Sequence, residues 1–358
     1  MLVNSSTWAG RRVLVTGHTG FKGSWLALWL HQLGAKVTGF ALGPPTQPSL
    51  FEQARLSELV EDVRGDVRDC ELVRKVIEAS QPELVFHLAA QPLVRYSYDN
   101  PVETYATNVM GTVHVLEASR HVPGVRSVVC VTTDKCYENR EWVWPYRECD
   151  PMGGHDPYSS SKGAAELAIS AYRRSYPNGP AIASVRAGNV IGGGDWAEDR
   201  LVPDIIRALL NGQRPAIRNP ESVRPWQHVL DALSGYMMLA EGLLDDQREL
   251  ASAWNFGPDA SDAKPVRWIV ERMLSEWGAS GWDQPDAAQP HEANLLKLDC
   301  SKAHSELGWT PTLNLNQALT KVIQWHSGLK NGADARALTA DQIKTYCEER
   351  SNKMGQIQ

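Results

Sequence analysis

The sequence predicts an α/β protein built on a doubly wound parallel sheet, with a smaller C-terminal substrate-binding lobe interleaved with that sheet. Three observations carry this expectation. Continuous apolar runs of strand length recur through the first half of the chain, as a sheet covered on both faces requires. Helical patterns separate them, which is the alternation of a parallel α/β fold. A glycine triplet, Gly17-x-x-Gly20-x-x-Gly23, falls between the first run and the first helix, where a Rossmann-like fold turns its chain around a dinucleotide.

The elements follow in order. Val13–Thr16 is the first strand, and Leu26, Trp29, Leu30 and Leu33 then fall at i, i+3, i+4 and i+7 on one helical face. Gly34 ends that helix. Lys36–Phe40, a short stretch before Gly65, Leu84–Ala90, Ser127–Thr132 and Ile182–Arg186 read as further strands. After Asn189 the character changes: Gly192–Trp196 is a loop, Val202–Leu210 a helix, and 212–226 loop or short strand. A helix over Asp231–Leu244 and a strand at Ala253–Phe256 return to the sheet, and 264–278 and 313–326 supply amphipathic helices. Residues 1–189 with about 225–256 thus form the dinucleotide-binding domain, and about 190–224 with 257–330 the lobe. Residues 331–358 are polar without a periodic apolar face and read as a tail or helical extension.

Bulk properties narrow the class. A chain of 358 residues exceeds a single typical core. Hydrophobic residues at 42% and charged residues at 22% are ordinary for a soluble globular protein. The net charge of −6 argues against a nucleic-acid or anionic-membrane surface. No apolar run spans a bilayer and no targeting segment precedes the first strand, so a cytoplasmic protein is expected. The six cysteines form no paired framework and no C-x-x-C, consistent with reduced thiols, and no metal site is read from the sequence.

In the glycine triplet, the first glycine permits the tight turn, the second lets backbone approach a pyrophosphate, and the third lets helix and sheet sit close. The helix N-terminus adds amide donors for phosphate. Asp66, followed by Val67, either accepts a hydrogen bond from an adenine amino group or is an ordinary turn aspartate. The end of the second strand, Gly39-Phe40-Ala41-Leu42, offers neither an acid for a ribose diol nor an arginine for a 2′-phosphate. NAD is therefore favoured over NADP only modestly. Downstream, Tyr158 and Lys162 share one helical face. Asp156 can cap that helix and Pro157 can open it, which sets Tyr158 on its first turn. A lysine ammonium beside a phenol favours the phenolate. The pair follows a strand ending in Thr132-Thr133, at the carboxyl edge of the sheet where ligands bind. The alternative is a surface Tyr–Lys pair. Asp134-Lys135, an acid–base pair directly after Thr133, points past simple oxidation to an elimination.

Gly17-x-x-Gly20-x-x-Gly23, Asp66, His87-Leu-Ala-Ala90, Asn108-x-x-Gly111-Thr112, Thr133 and Tyr158-x-x-x-Lys162 resemble the extended short-chain dehydrogenase/reductase family, over about residues 8–326. Within that family, Thr-Asp followed by an acid–base residue is similar to the nucleotide-sugar 4,6-dehydratases. The third position there is glutamate in enzymes acting on dTDP-glucose or GDP-mannose. Lys135 departs from that and resembles the branch acting on CDP-glucose, as do Thr132–Asn139, Gly193–Trp196, Asp199–Asp204 and Arg224–His228.

The resemblance implies a division of labour. Gly17, Gly20, Phe21, Gly23, Asp66, Val67, Leu88, Ala89, Ala90, Thr132, Tyr158 and Lys162 hold NAD, which is recycled and not consumed. Tyr158 takes the proton of the sugar's C4 hydroxyl, Lys162 supports it, and Thr133 orients the C4 oxygen. Asp134 protonates the departing C6 hydroxyl. Lys135 either removes the C5 proton or, protonated, stabilises the enolate. A free lysine titrates near 10.4, which strains the first role. Arg224, Arg218, Asn189 and Arg95 are candidates for the sugar and diphosphate. A surface salt bridge is the competing reading for Arg218. Asp195, Trp196 and Arg200 are candidates for the nucleotide base. His291 and Glu292 either line the pocket or form a solvated loop. The implied substrate is CDP-glucose on a deoxysugar route to surface polysaccharide, and the implied assembly is a homodimer or homotetramer. A 4-epimerase or decarboxylase, and a dinucleotide sensor without turnover, are the alternatives. Asp134-Lys135 argues against the first, and the intact Tyr158 and Lys162 against the second.

Overall fold

The computed structural model describes residues 3–285 and 296–355. Eleven strands follow one another among them. They are β1 (Arg12–Thr16), β2 (Lys36–Ala41), β3 (Glu61–Arg64), β4 (Leu84–His87), β5 (Ser127–Val131), β6 (Ala181–Ala187), β7 (Asn189–Ile191), β8 (Val223–Arg224), β9 (Trp226–His228), β10 (Ala253–Phe256) and β11 (Lys264–Pro265). Seven form one sheet in the order β10-β6-β5-β4-β1-β2-β3, every pair parallel. The expected doubly wound, Rossmann-like architecture is thus present. Every residue of β5 and β6 is buried, whereas edge strand β3 has no fully buried residue. Unbroken apolar runs mark the middle of a sheet covered on both faces.

β4 stops at His87, three residues before the run of small and apolar residues ends. Thr16 Oγ1 lies 2.8 Å from His87 Nδ1 and accepts hydrogen bonds from the amides of Leu88 and Ala89, at 3.1 and 3.2 Å. Leu88 N also keeps a bond to Thr16 O at 3.1 Å, and the side-chain bonds then carry the chain out along the carboxyl edge of the sheet.

The Phe21–Gln32 helix is buried from Gly23 to Leu30 and not only on the face the apolar spacing predicts. Its outer side is covered too. Trp25 Nε1 donates to Gly193 O at 2.9 Å, and Trp29 meets Tyr346 edge-on at 5.8 Å.

Tyr346 belongs to the Ala335–Gly355 helix. Ala335, Thr339, Gln342, Ile343, Tyr346 and Arg350 are buried on one face of it. Four of these six are hydrogen-bonded through their side chains: Tyr346 Oη donates to Asp231 and lies against Ser234, both at 2.9 Å, and Gln342 Nε2 donates to Lys321 O at 2.7 Å, with Thr339 and Arg350 bonded as well. A docked helix with a polar inner face carries no apolar periodicity to read.

The remaining strands form two small sheets: β7 pairs parallel with β9, and β8 antiparallel with β11. The Leu201–Leu210, Val266–Trp277 and Leu315–Lys330 helices pack with them, and the wholly buried Val229–Leu244 helix leads from β9 back to β10. His291 and Glu292 lie outside the described residues. Among the described residues no helix is long and apolar enough to cross a membrane. Because the sheet is parallel, one edge collects Gly17, Leu88–Ala90, Thr132–Lys135 and Gly188–Asn189.

Candidate active site

Gly17 leaves β1 with φ +76, and a Cβ there would stand 2.7 Å from Ala89 N. A Cβ at Gly23 would collide with the Gly17 carbonyl. Gly20 is the N-cap of the Phe21–Gln32 helix and carries no side-chain cap, so its first-turn amides face outward. The three glycines thus form a backbone cradle that any side chain would fill, at a helix N-terminus. Asp66 is held by Arg68, through Arg68 N and Nε at 2.8 Å each. Burial pushes its carboxyl up, and Arg68 outweighs that and holds it below the usual range. Val67 is buried and its carbonyl meets His114 Nδ1 at 2.9 Å, while a Cβ at Gly111 would press on Val67. These residues fit a dinucleotide.

Across the edge, Thr133 is extended and starts a short 3-10 turn, Asp134–Cys136. Its hydroxyl donates to Asp134 Oδ1 at 2.9 Å and accepts from Lys135 N at 3.4 Å. The Pro157–Ser175 helix faces this turn. Asp156 caps it by accepting from Ser159 N at 2.9 Å, Pro157 opens it, and Tyr158 follows on the first turn, as the sequence predicts. Asn108 ties this helix to the loop after β4, accepting from Gln91 N at 2.9 Å and donating to Ser161 Oγ at 2.8 Å. Thr132, Thr133, Asp134, Tyr158 and Lys162 are all buried, and Lys135 is partly exposed.

Burial pushes the Tyr158 phenol up to about 12, against a hydrogen bond with Thr133 and the charge of Arg200. Lys162 donates to Val131 O at 3.3 Å, and burial lowers its ammonium to about 8. Asp134 is raised by burial, although Lys135, the Thr133 hydrogen bond and Arg224 oppose the shift. A buried carboxyl pushed upward is suited to hold and donate a proton.

The lobe places the other candidates unevenly. Asn189 lies on β7 and donates to Pro225 O at 3.4 Å; Arg224 lies on β8, and its charge reaches Asp134. Arg95 and Arg218 converge from the two sides of the cleft on Asp199, each at 3.3 Å. Arg200 pairs with the buried Asp195 at 3.2 Å. Trp196 is different: its ring packs edge-on against His326 and Nε1 donates to Gln53 at 3.0 Å. The structure therefore places Trp196 in the core, where its ring is not presented to a nucleotide base. A separate cleft of about 710 Å³ is lined by Arg218, Glu221, Val223 and Arg267, with none of Thr133, Asp134, Lys135, Tyr158 or Lys162 in its wall.

Two residues escape a motif reading. Lys22, between Phe21 and Gly23, stands within electrostatic reach of Lys162, Asp134, Asp195 and Arg200. Burial and the two cations lower it to about 8. Its place in the glycine loop was the available signal. His18 occupies the space above Gly39, where a Cβ would strike its ring, and bonds Asp62 at 2.8 Å. The acid missing after β2 thus has a counterpart on β3, which only the sheet register reveals.

A family model described as GDP-mannose 4,6 dehydratase matches residues 14–322. The chain belongs to this family. A CDP-glucose 4,6-dehydratase of Salmonella typhimurium (strain LT2) is 54% identical over 353 residues, covering 96% of this chain and 98% of the relative. A dTDP-glucose 4,6-dehydratase of Streptomyces antibioticus is 31% identical over 328 residues, covering 88% and 92%. Among solved structures, MoeE5 in complex with UDP-glucose and NAD matches with a TM-score of 0.74 and 27% identity, covering 88% of this chain and 98% of that one.

Proposed function

We propose that this protein is an NAD-dependent CDP-glucose 4,6-dehydratase, a hydro-lyase converting CDP-glucose to CDP-4-dehydro-6-deoxy-glucose and water. The observation that carries this reading is the Thr133–Asp134–Lys135 turn, hydrogen-bonded within itself and set against the Tyr158–Lys162 helix. The 54% identity to a CDP-glucose 4,6-dehydratase supports the choice of substrate. The glycine cradle, and the NAD in the MoeE5 complex, support the choice of cofactor.

Tyr158 accepts the C4 hydroxyl proton, with Thr133 orienting the oxygen. Its raised phenol must be brought down in the complex, by the positive charge of oxidised cofactor and by Lys162. Bound NAD would supply a reversible hydride acceptor, for the hydride that leaves C4 and is later needed at C6, and would not be consumed. The ketone formed at C4 acidifies the C5 proton, which Lys135 is assigned to remove, and C5 is reprotonated when the hydride arrives at C6. Asp134, whose hold on a proton burial strengthens, is assigned to give that proton to the departing C6 hydroxyl. Arg224, Arg218 and Arg95 are assigned to the diphosphate and sugar, Arg218 and Arg95 by exchanging Asp199 for substrate. Asn189, Asp195 and Arg200 complete the assigned pocket.

We further read the protein as a cytoplasmic homodimer or homotetramer. Its six cysteines are unpaired, and Val102, Met110 and Leu167 are exposed on the helices beside the site. Cofactor stoichiometry tests the function. Many turnovers of CDP-glucose per NAD, with one water lost each time, are expected, whereas one NAD consumed per product would identify a two-substrate oxidoreductase instead.

A further inference from the structure

The turn that carries Asp134 and Lys135 is held at both ends by one buried ion pair. Glu166 follows Lys162 by four residues and Tyr158 by eight, so all three lie along one face of the same helix. Arg186 is the last residue but one of the buried strand β6, at its carboxyl end. Their side chains meet as a fork, Nε to Oε1 at 2.9 Å and Nη2 to Oε2 at 2.8 Å, each 4% exposed. Such a bidentate pair fixes direction as well as distance.

Each partner reaches one side of the turn. Glu166 accepts the hydroxyl of Thr132, the residue before Thr133, and also that of Ser184 at 2.8 Å. Arg186 Nη1 donates to the hydroxyl of Tyr137, the residue after Cys136, at 2.6 Å, with its guanidinium 4.9 Å from the Tyr137 ring centre. Tyr137 in turn donates to Asn255 on β10 at 2.8 Å, and Asn255 donates to Tyr146 O at 2.9 Å and Asp299 O at 3.1 Å. Gly153 N donates to Cys136 O at 2.9 Å and closes the outer side. Glu166, Arg186, Thr132, Ser184, Tyr137 and Asn255 are all buried, so hydrogen-bonded polar groups fix the geometry of the network.

We propose that Glu166 and Arg186, through Thr132 and Tyr137, act as positioning residues that hold residues 133–136 in register with the Tyr158–Lys162 helix for the elimination half of the cycle. This rests on the dehydratase reading above. Burying an ion pair is a poor route to stability alone, because desolvation offsets most of the attraction. Here the pair connects the sheet, the Tyr158 helix and both ends of the acid–base turn.

Tyr137→Phe tests this, since it removes only the hydroxyl and keeps the ring stacked on Tyr146 at 5.2 Å. Two measurements are needed on the full chain. Hydrogen–deuterium exchange of residues 132–138 should quicken about tenfold, as losing a hydrogen bond to a charged group implies. In single turnovers with CDP-glucose, formation of reduced cofactor should stay within about twofold of wild type while water loss slows about tenfold, so reduced cofactor accumulates. Unchanged exchange, or oxidation and water loss slowing together, overturns the proposal. A wild-type enzyme that loses no water from CDP-glucose overturns the functional reading, and the exchange result still decides whether the tether exists.

Discussion

The Asp134 carboxylate rests against Gly188: a Cβ at residue 188 would stand 3.1 Å from Asp134 Oδ2 and 3.4 Å from Pro225 Cγ. Gly188 is the residue between β6 and β7, so the end of the sheet supplies the floor on which the proposed acid sits. A methyl group there must push Asp134 by a few tenths of an ångström. Gly188→Ala is expected to lower water loss about tenfold, because small displacements of a reacting group are costly. Rapid-quench assay of product, with cofactor reduction followed in parallel, checks that the C4 oxidation is spared.

Asp134→Asn removes the proton donor but keeps the size of the side chain. Water loss should fall by about 10²–10³, the usual contribution of a positioned general acid. The pH dependence gives a second check. Burial raises Asp134, so the group keeps its proton above the ordinary carboxylate range, and the high-pH limb of the wild-type profile, where activity falls as Asp134 loses that proton, moves upward. A profile of kcat in Asp134→Asn that keeps this limb unchanged contradicts the assignment.

Lys135→Glu replaces the amine with a carboxylate at the position following Asp134. If Lys135 takes the C5 proton, exchange of that position with solvent must change in the variant, measured by NMR in deuterated water. Exchange at the wild-type rate removes Lys135 from direct proton abstraction and leaves it the role of stabilising the enolate.

The buried lysine opposite carries a cost that pH exposes. Lys162 is lowered to about 8 in the fold from 10.5. Between those values the unfolded chain binds more protons than the folded one, so stability rises with pH across that window. Below about 8 both states are protonated and the full penalty stands, about 3 kcal/mol for an amine shifted this far. Lys162→Met should therefore raise the Tm of the cofactor-free protein at pH 7 while abolishing turnover. The gain should shrink as pH rises from 8 to 10; calorimetry at those pH values decides it.

The core of this fold was legible because β5, β6 and their neighbours are buried on both sides and leave unbroken apolar runs. The cradle was legible because Gly17 needs a positive φ and Gly23 a close approach to the Gly17 carbonyl, and both leave a fixed spacing. Three things were not. The Ala335–Gly355 helix docks through Thr339, Gln342, Tyr346 and Arg350, whose hydrogen bonds have no periodic signature. Trp196 looked available in a glycine-rich loop, but His326 and Gln53, distant in sequence, enclose it. The Tyr158–Lys162 spacing gave the shared helical face, but not the Val131 carbonyl that accepts a hydrogen bond from Lys162, which is a property of the packed sheet.

Mass spectrometry of products formed in deuterated water, from matched CDP-glucose, dTDP-glucose, UDP-glucose and GDP-mannose reactions with catalytic NAD, tests the central claim most directly. Loss of one water with one deuterium incorporated, selectively from CDP-glucose, is the predicted result. Selective turnover of another donor would keep the elimination and overturn the base specificity. Holoenzyme with NAD demonstrably bound that eliminates water from none of the four would contradict the dehydratase assignment itself.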